Sequence, residues 1–100
     1  MILEVADFKV HAHMADDFAA AVSKGLPFAQ ATPGFVSARL TRSIETPTRF
    51  VLLITWETVE AHTVAFRESE NFPRWREIVG PFFDGPPTVE HVEDVAGTGA

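Results

Sequence analysis

The chain contains no cysteine, which removes disulfides, thiolate nucleophiles, iron–sulfur clusters and cysteine-ligated zinc from consideration. Basic residues are scarce: 8 Lys and Arg stand against 14 Asp and Glu, a formal net charge of -6. Nucleic acid or an anionic membrane surface would reward a basic patch, so neither is expected as a partner, and a neutral or apolar small molecule fits better. Long apolar runs are missing, since none approaches the roughly 20 residues of a membrane helix. Strand-forming residues begin at Ile2, leaving no room for a signal peptide, and the expected setting is the cytoplasm. Tyrosine is absent beside 9 Phe and 2 Trp, so aromatic surface comes almost without phenolic hydroxyls. Such surface suits stacking on a flat ring more than a sugar site rich in hydrogen bonds. No phosphate-binding glycine loop, nucleophile elbow or dinucleotide fingerprint occurs, and no cofactor is expected.

A chain of 100 residues, 46% of them hydrophobic, has enough material for one core and too little for two. We read residues 1–96 as a single domain and 97–100 as a fraying tail. Ile2 to His13 is rich in β-formers, and Asp16 and Asp17 then open a helix whose apolar positions are Phe18, Val22, Leu26 and Ala29. Gly25 and Pro27 are expected to bend or weaken its last turns, and Pro33-Gly34 to close it. Phe35 to Ile44 and Phe50 to Trp56 form a hairpin around the polar loop 45–48. Thr58 is placed to cap a second helix carrying Ala61, His62, Ala65 and Phe66; Asn71 is placed to cap a third that stops at Gly80-Pro81. Thr88 to Val95 alternates as a last strand, with Val89, His91 and Glu93 on one side.

That order predicts an α+β, ferredoxin-like βαββαβ antiparallel sheet with its helices on one face. In the third strand Phe50, Leu52, Ile54 and Trp56 point one way while Val51 and Leu53 point the other, so both faces are apolar. Helices cover one face only. Each large apolar side chain left in water forgoes about 1.5–3 kcal/mol, so the second face calls for a cover. The simplest cover is the same sheet of a second copy, giving a homodimer that encloses an apolar cavity.

The stretch FVLLITWETVEAHTVAFRESENFPRWREIVGPFFDGP, Phe50 to Pro86, resembles the antibiotic biosynthesis monooxygenase (ABM) family of dimeric α+β barrels. The likeness rests on a strand ending in Trp-Glu-Thr, Glu-Ala-His on a helix, a Ser-x-x-Phe element and a Pro-Phe-Phe before the last strand. It implies a polyketide or quinol oxygenase, a haem-degrading enzyme or a non-catalytic relative, because a fold does not choose a function. The polyketide oxygenases use a strand-end Trp, an aromatic hydroxyl early in the next helix and a later Arg, positions that fall on Trp56, His62 and Arg76. Leu52 stands where they place an Asn. In the haem-degrading branch the axial His falls near Trp75 and a first-strand Asn near Asp7, so haem ligation is not implied.

Each candidate has two readings. Trp56 packs in the core or donates its indole N–H to a bound carbonyl. His62 satisfies a buried carbonyl, or takes a proton from a phenolic substrate. Arg76 forms a surface salt bridge to Glu70 or Glu77, or sets a cation at a cavity mouth. Phe66, Trp75 and Phe83 serve as core or seam and as cavity lining, Leu52 joins the substrate-facing set, and His91 is placed to reach the cavity. His11 and His13 lie two apart on a strand face, but a solvent-exposed pair is the simpler account and no metal site is expected. The reading is a cofactor-independent monooxygenase acting on a hydroquinone or polycyclic phenol in an apolar cavity. The alternative is a non-catalytic dimeric domain of the same fold that binds a small molecule or serves in a stress response.

Overall fold

The computed structural model describes residues 1–99. The sheet consists of β1 (Ile2–Lys9), β2 (Phe35–Arg42), β3 (Arg49–Trp56) and β4 (Thr88–Val92) in the order β2-β3-β1-β4, with every pairing antiparallel. Helices α1 (Phe18–Gln30) and α2 (Asn71–Val79) pack on each other, and a π-helix (Ala61–Phe66) lies between β3 and α2. This is the ferredoxin-like α+β fold that the element order predicts. No helix of the described residues is long and apolar enough to cross a membrane.

Period-two alternation sorts the sheet into two unlike faces. On the helix face Ala6 and Phe8 of β1 and Phe50, Leu52, Ile54 and Trp56 of β3 are all buried. They meet Phe18 and Val22 of α1, Phe66 of the π-helix, and Trp75 and Val79 of α2. The opposite face carries half-buried Leu3, Val5, Val51 and Leu53 and the more exposed Val92. Both faces of β3 are apolar, as its composition requires, and the helices cover one.

The helices form where tertiary packing allows, and some boundaries depart from the sequence reading. β1 ends at Lys9 rather than His13, because the next backbone groups bond elsewhere: Val10 N–H donates to Thr48 and His11 N–H to Phe82. A 3-10 turn (Ala12–Asp17) follows, so His11 and His13 do not share a strand face. α1 runs straight through Gly25 and Pro27 to Gln30. Gly25 is required there: a Cβ on it would sit 2.6 Å from the Trp75 ring. The helix ends at Gln30, before Pro33-Gly34; Gly34, in the turn into β2, has φ +94, and a Cβ there would meet Ala61 at 2.6 Å. Thr58 caps as expected, accepting the Ala61 N–H at 3.1 Å. Asn71 makes no side-chain cap; Ser69 Oγ takes the Asn71 N–H instead, at 3.2 Å. β2 stops at Arg42 and β4 at Val92, both shorter than their β-rich runs.

Candidate active site

A cavity of about 790 Å³ opens on the helix face of the sheet, inside one chain. Its lining comes from the helix face of this chain, the side opposite the open sheet face that a second copy is expected to cover. The sheet supplies its floor through Glu4, Ala6, Leu52 and Ile54; Phe66, Phe72, Trp75 and Phe83 supply aromatic walls. The volume is within the roughly 300–1,000 Å³ usual for small-molecule sites. Arg67 and Arg76 line it while remaining exposed, so they mark its rim.

The floor holds one buried polar cluster. Glu4 belongs to β1, and the alternation that turns Ala6 and Phe8 inward turns Glu4 inward too, leaving the residue 6% exposed. The Trp56 indole N–H donates to Glu4 Oε1 at 2.9 Å. His62 Nε2 lies 3.4 Å from the same oxygen. His62 Nδ1 and His91 Nε2 are 2.8 Å apart, so one imidazole donates to the other. With Glu4 ionised, His62 carries its hydrogen on Nε2, facing the carboxylate, and its bare Nδ1 accepts from His91. Glu4 and His91 are cross-strand partners on β1 and β4, which fixes His91 on the helix face.

The π-helix delivers the rest. Its wide turn is closed by Arg67 N–H donating to the His62 carbonyl at 3.0 Å, five residues back. Such turns are rare and often sit at functional sites. Here the extra residue per turn lets His62, Phe66 and Arg67 all face the cavity. The His62 ring stacks on Trp56 with centroids 5.5 Å apart and planes 20° apart.

Burial governs the titration of this cluster. It pushes the Glu4 carboxyl above its usual range, against the opposing pull of the Trp56 hydrogen bond and the Arg67 charge. Burial also lowers His62 to about 4, helped by the positive charge of Arg67 and by His91. His62 is thus neutral at pH 7 and a weak proton acceptor.

Of the residues singled out from the sequence, Leu52, His62, Phe66, Trp75, Arg76 and Phe83 line the cavity. Trp56 does not: it is fully buried behind Glu4 and His62, touching the site through its indole N–H. His91 reaches the cluster by its bond to His62 rather than by lining the cavity. Arg76 forms no ion pair with Glu70 or Glu77; its guanidinium lies 5.8 Å from the Phe83 ring centroid. Among the described residues no group of three or more His, Asp or Glu is arranged to hold a metal ion. Asp7, the position compared with a haem-enzyme Asn, faces away from the cavity and pairs with Arg49 at 2.7 Å. Glu4 and Arg67 escaped the sequence reading. The signal for Glu4 was a lone carboxylate in the inward register of β1; Arg67 needed the π-turn, which leaves no pattern in the sequence.

Comparison with known proteins agrees with this architecture. The model of the antibiotic biosynthesis monooxygenase family matches residues 1–78, and the chain belongs to that family. A putative antibiotic biosynthesis monooxygenase from Bordetella bronchiseptica is 40% identical, with a TM-score of 0.91 over 95% of this chain and 97% of that one. Two further solved structures share the fold at lower identity. A Streptomyces coelicolor monooxygenase from the gene ActVA-Orf6, in complex with nanaomycin D, is 22% identical with a TM-score of 0.83, over 99% of this chain and 91% of that one. SnoaB, a cofactor-independent oxygenase from Streptomyces nogalater, is 18% identical with a TM-score of 0.80, over 96% and 94%.

Proposed function

We propose that the protein is a cofactor-independent monooxygenase acting on a small polycyclic phenol or hydroquinone. The observation that carries this reading is a single-chain cavity of about 790 Å³ with aromatic walls, a buried carboxyl–imidazole pair on its floor and two arginines at its rim. An electron-rich phenolate reduces dioxygen without a cofactor, so the protein has three tasks: to remove a proton, steady the anion and exclude water. Arg76 and Arg67 steady the anion, and Leu52, Phe66, Trp75 and Phe83 hold the ring. For 1-naphthol as probe, one atom of dioxygen becomes the new carbonyl of 1,4-naphthoquinone. The other leaves as water, with its hydrogens drawn from the hydroxyl and the ring C–H. Family membership and the oxygenase activities of the two Streptomyces neighbours support the reaction class.

Oxygen uptake by chelator-treated protein over a panel of 1-naphthol and hydroquinones tests the reading. Turnover that falls in Arg76→Ala is expected; uptake no higher than in buffer overturns the reaction. Leu52, fully buried and apolar on the cavity floor, favours a second reading, a domain that binds such rings without turning them over. Thermal stabilisation by 1-naphthol with no oxygen uptake would select it.

We also propose a homodimer through the open sheet face, where Leu3, Val5, Val51 and Leu53 are half-buried in the single chain. Light scattering on the wild type and Leu53→Glu checks this, with a dimer expected for the first and a monomer for the second. A monomeric wild type removes the proposal.

A further inference from the structure

We infer that Glu4 is the group that takes the hydroxyl proton of the substrate, and that His62 and His91 are positioning residues which hold its carboxyl in place. This deepens the oxygenase reading and rests on it.

The cavity wall narrows the choice. Its titratable or charged side chains are Glu4, His62, Arg67 and Arg76. A guanidinium has no lone pair to offer and stays protonated. His62 has both nitrogens committed, Nδ1 to His91 at 2.8 Å and Nε2 facing Glu4 at 3.4 Å. Glu4 is the one carboxyl in the lining, and only its Oε1 is engaged, by the Trp56 indole and the His62 ring. Oε2 receives no hydrogen bond from any described residue, and burial leaves the Glu4 side chain 8% exposed. Satisfying the Trp56 N–H calls for a single acceptor. A carboxyl brings a second oxygen and a charge whose burial is costly, which a purely structural acceptor would not need.

The positioning groups come from three directions. Trp56 on β3 and His62 on the π-helix fix Oε1, and His91 on β4 holds the His62 ring. Arg67 on the π-helix and Arg76 on α2 add positive charge at the rim. Burial raises the proton affinity of the carboxyl, and the Arg67 charge restrains the rise, placing it closer to neutrality than an exposed glutamate.

The step balances as follows. The substrate O–H bond breaks, its proton bonds to Glu4 Oε2, and the electron pair stays on the phenolate. The ring carbon para to that oxygen then bonds to dioxygen, giving a peroxide anion, and Glu4 returns the proton to its terminal oxygen. Loss of the ring C–H proton forms the new carbonyl as the O–O bond breaks, and that proton leaves with the hydroxide as water. Glu4 ends as the carboxylate it began as.

Steady-state oxygen uptake with 1-naphthol, joined to infrared titration of the buried carboxyl band in ligand-free protein, tests the inference. In Glu4→Gln, which keeps an acceptor for Trp56, kcat should fall by about a hundredfold or more while KM stays within about threefold. Glu4→Asp, with its carboxyl drawn back by one methylene, should fall between the two and serves if Glu4→Gln folds poorly. The wild type should show a protonated-carboxyl band that Glu4→Gln lacks. Its titration midpoint, and the acid limb of the kcat profile, should both move in His91→Gln. Glu4→Gln retaining kcat within about threefold, or a wild-type carboxyl band that persists in it, overturns the role of Glu4 and leaves the oxygenase reading standing. No uptake by the wild type removes both.

Discussion

Glu4 and Asp7 are carboxylates on the same strand, three residues apart, and they lead opposite lives. Glu4 faces the helices, is 6% exposed and has its proton affinity raised by burial. Asp7 faces outward and holds Arg49 in a bidentate pair, Oδ1 accepting from Nε at 3.1 Å and Oδ2 from Nη2 at 2.7 Å. An odd separation along a strand puts two side chains on opposite faces, so parity alone decides which one becomes chemistry and which one surface. The same division runs through β3, where Phe50, Leu52, Ile54 and Trp56 are at most 2% exposed and Val51 and Leu53 only half-buried. Everything that makes the site unusual is on one face: the aromatic walls, the rim arginines and the carboxyl–imidazole pair.

The contrast is broken most severely at Trp56. Trp56→Ala should cost about 3–5 kcal/mol in urea unfolding, since it empties the core and strips Glu4 of its donor. A cost near that of an outward-facing substitution would mean that the indole is not central to the helix face.

Acid sharpens the contrast next. His62 is neutral in the fold and held at about 4, below the 6.5 of the free side chain. A folded value below the unfolded one gives stability that is complete above about pH 6.5 and is lost as the pH falls through 4, amounting to about 3 kcal/mol. Unfolding of the wild type at pH 7 and pH 4, compared with His62→Phe, should show the difference shrink in the variant. Glu4 has the opposite sign. Its raised value gives stability that is present at low pH and lost as the pH rises through the folded value. Glu4→Gln should therefore flatten the fall in stability that the wild type shows as the pH rises from the unfolded to the folded value of Glu4.

A smaller effect is expected at Gly25→Ala, whose new Cβ would lie 2.6 Å from Trp75 and push the ring toward the cavity. The cost should be about 1–3 kcal/mol by thermal melting, with weaker binding of 1-naphthol as the second readout. Least of all is expected at the exposed Arg49–Asp7 pair. Arg49→Gln breaks an exposed ion pair and should leave the melting temperature within the scatter of repeat measurements. A clear drop there would mean that the Arg49–Asp7 pair is not the solvent-screened surface pair its exposure makes it.

The fold was legible because it rests on local periodicity. Alternation in Phe50 to Trp56, the polar hairpin loop and the Thr58 cap all act within a few residues of themselves. Strand ends were less legible: past Lys9 the backbone of β1 bonds to Thr48 and Phe82, which lie in distant segments. The cavity wall was largely legible too, because a chain of Phe and Trp without Tyr has few other ways to line a pocket. Glu4 was missed because it sits within a β-rich run where a carboxylate reads as solvent-facing until strand parity is counted. Arg67 was missed because helical spacing of about 3.6 residues does not carry it onto the face of His62. The π-turn does, through the Arg67 N–H bond to the His62 carbonyl five residues back.

By itself the sequence determined the α+β order, the two apolar faces of β3 and the family, because these follow from spacing and from motifs carried in contiguous stretches. Tertiary structure decided that the cavity lies inside one chain, beneath the helices, and that Trp56 stands behind the site rather than in its wall. It also decided that Glu4, His62 and His91, drawn from three separate segments, form one buried cluster. Proton affinities depend on burial and on neighbours within a few ångströms, and only the folded chain brings such neighbours together.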